Sequence, residues 1–438
     1  MLSSEKKLQI VSGSRIVIFA VMFSPIFFGA KDLSFSIQYS TSPYYLVKLE
    51  QPVPLAFVAV LVLLIVGFFS LYKRLRDKRQ AFVSCLTSRG FYEKLWRNPD
   101  DLMIVIGVAL YVVLIAWSDF SIMRKSSLIF PVIMLLYCMA CIVLRMTTKL
   151  VDEMFSGLCL FVIFHALISL FGLILNPERP LLFFAASLNG LTLYQALTSY
   201  SSGISLLFTY LLLKIFFLKG SLKYCICVIC CAFIIVLAGR KAALVDLLIL
   251  GLTFTVTYAV TLSSQRLHRK SKYFAVVLMG LLIVFPFVGT FGDRPTLINS
   301  GSIEARLANF ELAFTSSDSD SDSDSDDVEG AWRNWGSFYV SIIKNVGYGA
   351  LVGIALIVVG YCSKAWSLLG LGGARLRFQE RQLVTTVFRY TLLLSLVIQS
   401  AINANLQLPY FVIVTSIIFL KSQREYQLRI KRTDGVSK

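Results

Sequence analysis

Residues 222–272 read LKYCICVICCAFIIVLAGRKAALVDLLILGLTFTVTYAVTLSSQRLHRKSK, and this stretch decides the fold class. Two apolar runs, at 222–239 and 243–262, are separated by a Gly-Arg-Lys turn and followed by a short basic segment. Each run is close to the roughly 20 residues that a helix needs to cross the hydrocarbon core of a bilayer. The pattern therefore predicts two membrane-spanning helices joined by a tight turn.

The rest of the chain repeats this pattern. Of its 438 residues, 57% are hydrophobic and only 15% are charged, whereas soluble domains average about 45–50% and about 25%. The composition predicts an all-α integral membrane protein, a single polytopic domain over 1–438, with no room for a large soluble domain such as an ATPase. The predicted spans are 14–30, 54–72, 102–120, 127–145, 154–175, 198–218, 222–239, 243–262, 273–291, 338–362, 383–402 and 407–421.

The basic residues predict the orientation of these spans. Lysines and arginines are concentrated in the segments 73–97, 263–272 and 363–382 and in the tail from Lys421. Cytoplasmic segments carry such an excess, so both termini are predicted to be cytoplasmic, with the N-terminal run retained as a signal anchor. The net charge of +17 then follows from topology, and no nucleic-acid partner is needed to explain it.

The same orientation makes residues 292–337 a large external loop, periplasmic in a bacterium, between the ninth and tenth spans. Within it, Ser302–Phe314 carries apolar residues at helical spacing and predicts an amphipathic helix on the membrane surface. The tract 315–329 is an acidic Ser-Asp repeat. Its alternating aspartates resemble a calcium loop, but Ser323 stands where that loop needs glycine, so a solvated linker is the preferred interpretation.

A few polar residues at the external ends of spans are candidates for chemistry. Arg240 and Lys241 stand in the turn between spans seven and eight, where a guanidinium can hold a lipid phosphate bidentately, although a simple snorkelling anchor fits as well. Asp246 follows inside the span, either as a functional acid or as the counter-ion of a nearby cation. Arg333 and Asn334 lie at the mouth of the tenth span, ahead of Tyr339.

Other motifs favour packing over chemistry. The cysteines fall almost entirely in apolar runs, including CICVICC at 225–231, and predict packing residues rather than a metal site. Gly349 and Gly353 form a small-xxx-small pair that lets a neighbouring helix approach closely. No nucleotide-binding loop or hydrolase motif occurs in the sequence. We therefore predict neither a cofactor nor a metal.

The order of four segments resembles the O-antigen polymerase and O-antigen ligase superfamily of multispan inner-membrane glycosyltransferases. The segments are GLTLYQALTSYSSGISLLF near span six, LAGRKAALVDLLI, EARLANFELAF at the start of the external loop, and RNWGSFYVSIIKNVGYGALVGIALI. The resemblance covers residues 185–362 in order and spacing. It implies a lipid-diphosphate sugar donor that is bound by arginines on the periplasmic side.

Carried over by position, the resemblance assigns Arg240, Arg306 and Asn334 to catalysis. Lys241, Arg333, Arg294 and Tyr339 are then the neighbouring substrate-binding candidates. The sequence departs from the family pattern in two places, since Arg333 stands where the pattern has histidine and the acidic tract replaces a glycine-rich segment. The histidine pattern is stricter in the ligase branch, so its absence favours a polymerase over a ligase. The catalytic base stays open among Glu304, Glu311 and Glu329.

The implied reaction is polymerisation of undecaprenyl-diphosphate-linked repeat units into a surface polysaccharide, O-antigen or capsule. Its partners are the lipid-linked glycan donor and acceptor, the bilayer, and a chain-length regulator in the membrane. Ligation of finished glycan to lipid A core is the alternative within this chemistry. A lipid-linked oligosaccharide flippase or another transporter is the alternative from a different class.

Overall fold

The computed structural model describes parts of the region from the third to the twelfth predicted span. The described residues are 99–118, 128–129, 131–135, 138, 148–175, 193–218, 220–238, 241–260, 265–284, 338–368, 380–402 and 411–422. Every regular element in these ranges is a helix, which confirms the all-α fold class for them. The predicted spans at 14–30 and 54–72, the external loop and both termini lie outside the described residues.

Ten helices are labelled here in chain order within that part of the chain. They are α1 (Pro99–Trp117), α2 (Thr148–Leu175), α3 (Leu193–Phe217), α4 (Leu222–Ala238), α5 (Lys241–Val260), α6 (Gln265–Val284), α7 (Phe338–Val346), α8 (Tyr348–Leu368), α9 (Glu380–Ile402) and α10 (Phe411–Ser422).

Two stretches of these helices are both long enough and apolar enough to cross a membrane. They are Pro99–Trp117 in α1 and Leu383–Ser400 in α9. Shorter apolar stretches of 10–17 residues lie in α3, α4, α5, α8 and α10. The helix positions agree closely with the predicted spans, but the described residues provide two full-length spans where the sequence predicts twelve in the whole chain.

The predicted span 338–362 is wrong in one respect, because the helix is interrupted at Gly347, between α7 and α8. Gly347 has a φ of 103°, a left-handed conformation that glycine adopts without a steric penalty. Its N–H donates to the carbonyls of Ile342 and Ile343, at 3.1 and 3.0 Å, and so closes the end of α7. Lys344 and Asn345 come just before this glycine, a local end-of-helix signal that the average hydropathy of residues 338–362 does not resolve.

The predicted basic loop 263–272 is also partly wrong, because α6 begins at Gln265 and includes most of it. Arginine, lysine and glutamine are good helix formers, so a helix that starts outside the apolar zone meets no local obstacle there. His268, expected in a loop, lies in the first turns of α6 and hydrogen bonds through Nδ1 with the Tyr258 hydroxyl of α5.

Helices α1 and α8 pack antiparallel through their glycines, as the sequence predicted for Gly353. A Cβ atom built on Gly353 would lie 2.9 Å from the carbonyl oxygen of Gly107, and one on Gly107 would lie 2.5 Å from the carbonyl oxygen of Gly353. A Cβ on Gly349 would meet the Leu114 side chain at 2.9 Å. The two backbones touch at a distance that only glycine allows.

The other helices except α7 form a bundle that buries both apolar and polar side chains and exposes large apolar side chains on its outer surface. Helices α2 to α6, α9 and α10 share one apolar core, and within it Asp246 and Gln399 are buried. Large apolar side chains such as Ile174, Ile229 and Val276 are more than two-thirds exposed, at 68, 68 and 71%. Exposed apolar surface on this scale is typical of helices that face lipid or another protein.

Candidate functional site

The candidate site is centred on Asp246, in the second turn of α5. Its side chain is fully buried. The Ser205 hydroxyl of α3 donates a hydrogen bond to Oδ2, and Nε2 of Gln399 in α9 donates to Oδ1 at 2.6 Å. Ser395, one turn before Gln399 and also buried, faces the same carboxylate. One acid therefore connects three helices that are far apart in sequence.

The polar residues of α9 that reach this interior lie on one stripe. Thr391, Ser395 and Gln399 are four residues apart, so they share a helix face. The Thr391 and Thr253 hydroxyls are 2.7 Å apart, which extends the polar contact between α5 and α9 toward the other end of both helices. A hydroxyl has one hydrogen, so one threonine donates across this contact while the other donates to a carbonyl oxygen of its own helix. Both buried hydroxyls are therefore satisfied.

The hydrogen-bond partners of Asp246 are neutral groups. Among the residues that the structure describes, none pairs a positive charge with this carboxylate. An ionised carboxylate inside an apolar bundle costs about 2.5–3.5 kcal/mol or more unless something neutralises it. The Ser205 and Gln399 donors lower that cost without removing the charge.

The beginnings of α5 and α7 meet the same part of α9. Asp246 contacts Gln399, while Tyr339, near the start of α7, donates from its hydroxyl to the carbonyl oxygen of Val397 at 3.2 Å and interacts with Ser400. Residues 397–400 span less than one and a half helical turns. The first two turns of α5 and the start of α7 therefore both contact the C-terminal part of α9.

Two of the predicted site residues fall within the described helices. Tyr339 is half-buried against α9. Lys241 is the first residue of α5, although its side chain is outside the description. The remaining predicted residues lie outside the described residues; they are Arg240, Arg294, Arg306, Arg333 and Asn334. The glutamates proposed as bases, Glu304, Glu311 and Glu329, also lie outside them.

A second charged cluster lies toward the other end of the bundle. Lys421 of α10 forms a salt bridge with Asp152 of α2, with 2.5 Å between Nζ and Oδ1. The buried Lys214 of α3 has its Nζ 4.6 Å from the ring centroid of Tyr224, and both lysines lie 5.7 Å from the Phe155 ring. These helix ends come together as the alternating spans predict, and their charges are stabilised by an acid and by aromatic faces.

Cysteines contribute to packing, as predicted. Cys138, Cys159, Cys227 and Cys231 are buried in the main core. In the described ranges, no group of three or more His, Cys, Asp or Glu side chains is arranged to hold a metal ion.

The sequence singled out Asp246 but none of its partners. Ser205 and Gln399 are 41 and 153 residues away, so no local pattern connects them to the acid. One signal was available, because hydroxyl and amide residues at four-residue spacing within an apolar run indicate a buried polar face. Comparison with other proteins adds no assignment, since the chain matches no protein-family model and no curated protein.

Proposed function

We propose that the chain is a multispan glycosyltransferase of the bacterial inner membrane. It polymerises undecaprenyl-diphosphate-linked oligosaccharide repeat units on the periplasmic face. The twelve spans, the cytoplasmic termini and the periplasmic external loop are part of this proposal. Its basis in the sequence is the ordered resemblance across residues 185–362.

One structural observation supports the location of the site. The first turns of α5 and α7 both contact the C-terminal end of α9, through Asp246 with Gln399 and through Tyr339 with Val397. Arg240 directly precedes α5, and Asn334 precedes α7 by four residues. Two segments that the resemblance assigns to catalysis are therefore attached to neighbouring helix ends, as a shared site requires.

The chemistry follows from the charge that develops in the reaction. A hydroxyl oxygen of the acceptor sugar attacks the anomeric carbon of the donor, and the bond from that carbon to the phosphate oxygen breaks. The lipid diphosphate leaves with the electron pair, and the hydroxyl proton passes to a base. Guanidinium groups at Arg240 and Arg306 stabilise the leaving diphosphate, where fixed donors have their largest effect.

A transporter of lipid-linked oligosaccharide is the second candidate, and Asp246 is the observation that favours it. Fully buried acids within membrane helices often mark ion or substrate pathways. The described part of the bundle, however, offers no inverted pair of broken helices around Asp246, the arrangement expected for a transporter site at the membrane midplane. The polymerase therefore remains the preferred function.

A null strain tests the proposal through the length of its surface polysaccharide. We expect long chains to disappear while single repeat units still reach the cell surface. Loss of all glycan from the lipid A core, with lipid-linked polymer still present, would identify a ligase instead. Accumulation of repeat units on the cytoplasmic face would identify a flippase.

A plasmid-borne Arg240→Lys variant is the informative complementation, with wild type as its reference. It keeps the positive charge but loses the bidentate geometry. If this variant supports wild-type polysaccharide length at equal protein level, the proposal that the Arg240 guanidinium binds the donor is wrong.

A further inference from the structure

We propose that the pocket around Asp246 is a binding site for one sodium ion. The ligands are the Asp246 carboxylate, the hydroxyls of Ser205 and Ser395, and the amide oxygen of Gln399. This site is independent of the proposed glycosyl transfer and uses only described side chains.

The first argument is charge. Asp246 is fully buried, and its partners among the described residues are neutral. A single carboxylate and a single monovalent cation make a neutral site, whereas a divalent ion would leave a buried positive charge. Buried charges that remain unpaired are strongly unfavourable.

The second argument is the kind of atom that converges there. The Ser205 hydroxyl and the Gln399 amide meet the two Asp246 carboxylate oxygens. The Ser395 hydroxyl, one turn before Gln399, is buried without a hydrogen-bond partner in the described part of the chain. Hard cations prefer oxygen ligands of this mixture. A proton would neutralise Asp246 but would leave the buried Ser395 hydroxyl without a partner, whereas a cation can take that oxygen as a ligand.

The Gln399 amide suits both states of the site. Without a cation its Nε2 donates to Asp246 at 2.6 Å. A half-turn of the amide exchanges nitrogen for oxygen with almost no change in shape, so the same side chain then supplies an oxygen ligand.

The position of Asp246 favours access from the end where α5 begins. Asp246 is five residues into α5, about 8 Å along the helix axis at 1.5 Å per residue. Farther along α5, packed rings fill the interior, with Phe254 and Phe274 at 4.8 Å and Phe217 and Phe274 at 5.3 Å between ring centroids. In the proposed topology the near end is the periplasmic one.

The test uses the full-length chain purified in detergent, at fixed pH and ionic strength, in NaCl, KCl or choline chloride. Ligand binding to the folded state raises its stability, and we expect a melting temperature roughly 2–5 °C higher in saturating NaCl than in choline chloride. Equilibrium dialysis with radioactive sodium should give one ion per chain. Equal stability in all three salts, or no bound sodium, overturns the proposal.

Two variants separate the site from a general salt effect. Asp246→Asn keeps the shape of the side chain but removes its charge, and should abolish the sodium response. Asp152→Asn removes an acid that Lys421 already neutralises, and should leave the response intact. If Asp246→Asn does not fold, Ser205→Ala should weaken sodium binding at least tenfold; unchanged binding counts against the site.

The rival explanations give different results. A melting temperature that follows pH but not sodium would show that a proton neutralises Asp246. A second outcome is that the melting temperature of the wild type does not depend on sodium, whereas that of Arg240→Gln or Lys241→Gln does. This would show that a side chain at the turn neutralises Asp246. Either result overturns the sodium site without bearing on polymerisation, which the null strain tests separately.

Discussion

Asp246 and Asp152 occupy opposite ends of one helix bundle and are stabilised in different ways. Asp152 has a side chain that is 39% exposed and a lysine 2.5 Å away. Asp246 is completely buried and receives hydrogen bonds from Ser205 and Gln399, which carry no charge. A lysine therefore pairs with the first acid, whereas the partners of the second among the described residues are neutral.

The proposed function places the chemistry at one of these two ends. At the Asp152 end, Lys214 and Lys421 are held by aromatic rings and a carboxylate, and the cluster is a structural connection between helix ends. At the Asp246 end, the segments that carry Arg240 and Asn334 lead into helices that contact α9. Charge at the two ends should therefore respond differently to substitution.

The largest difference between the two ends is expected when a positively charged side chain is removed. Arg240→Ala should reduce polymerisation roughly 100- to 1,000-fold, because one fixed donor to the leaving diphosphate is lost. Gel profiles of surface polysaccharide, normalised to protein level, measure this effect. Lys223→Ala at the opposite end, where the lysine donates to Ser156 on an exposed surface, should stay within about twofold of wild type. Equal effects at both positions would remove the functional distinction between the ends.

The next difference concerns stability. Asp246→Ala leaves the buried donors of Ser205 and Gln399 without their acceptor and should cost about 1–3 kcal/mol. Asp152→Ala breaks a partly exposed ion pair and should cost less than about 1 kcal/mol. Thermal unfolding of the two variants in the same detergent gives the comparison. A larger loss of stability for Asp152→Ala than for Asp246→Ala would contradict the view that Asp246 holds α3, α5 and α9 together.

A smaller effect on stability is expected for the contact between Thr253 of α5 and Thr391 of α9. The Thr253 and Thr391 hydroxyls are 2.7 Å apart, and one donates to the other while the second donates to a carbonyl oxygen of its own helix. A double-mutant cycle with Thr253→Val and Thr391→Val should give a coupling of about 0.6 kcal/mol, the average for interhelical hydrogen bonds in membrane proteins. A coupling near zero would restrict the polar connection between α5 and α9 to Gln399.

The smallest effect is expected for a third group of acids, the Ser-Asp repeat. Because a solvated linker needs no partner to stabilise its charge, deletion of Ser317–Asp326 should leave polysaccharide length within about twofold of wild type. A replacement of equal length with Gly and Ser provides the control for spacing. Loss of long chains in the deletion and in the replacement would show that the aspartates themselves are required.

The sequence predicted the helices well because apolar runs report directly on burial. The runs at 222–239 and 243–262 correspond to α4 and α5 within two residues at each end. The break at Gly347 and the early start of α6 were missed, because a left-handed glycine and a polar helical extension leave hydropathy unchanged. The partners of Asp246 were missed for another reason, since contacts between distant helices are set by packing that no single segment encodes.

The most direct test of the central claim is polymerisation by the purified full-length protein. The substrate is a synthetic undecaprenyl-diphosphate-linked repeat unit, and the products are separated by mass. The proposed function requires products with two or more repeats and release of undecaprenyl diphosphate by wild type, with a large loss for Arg240→Ala. Unchanged substrate in wild-type reactions, under conditions where the folded protein binds the lipid, would contradict it.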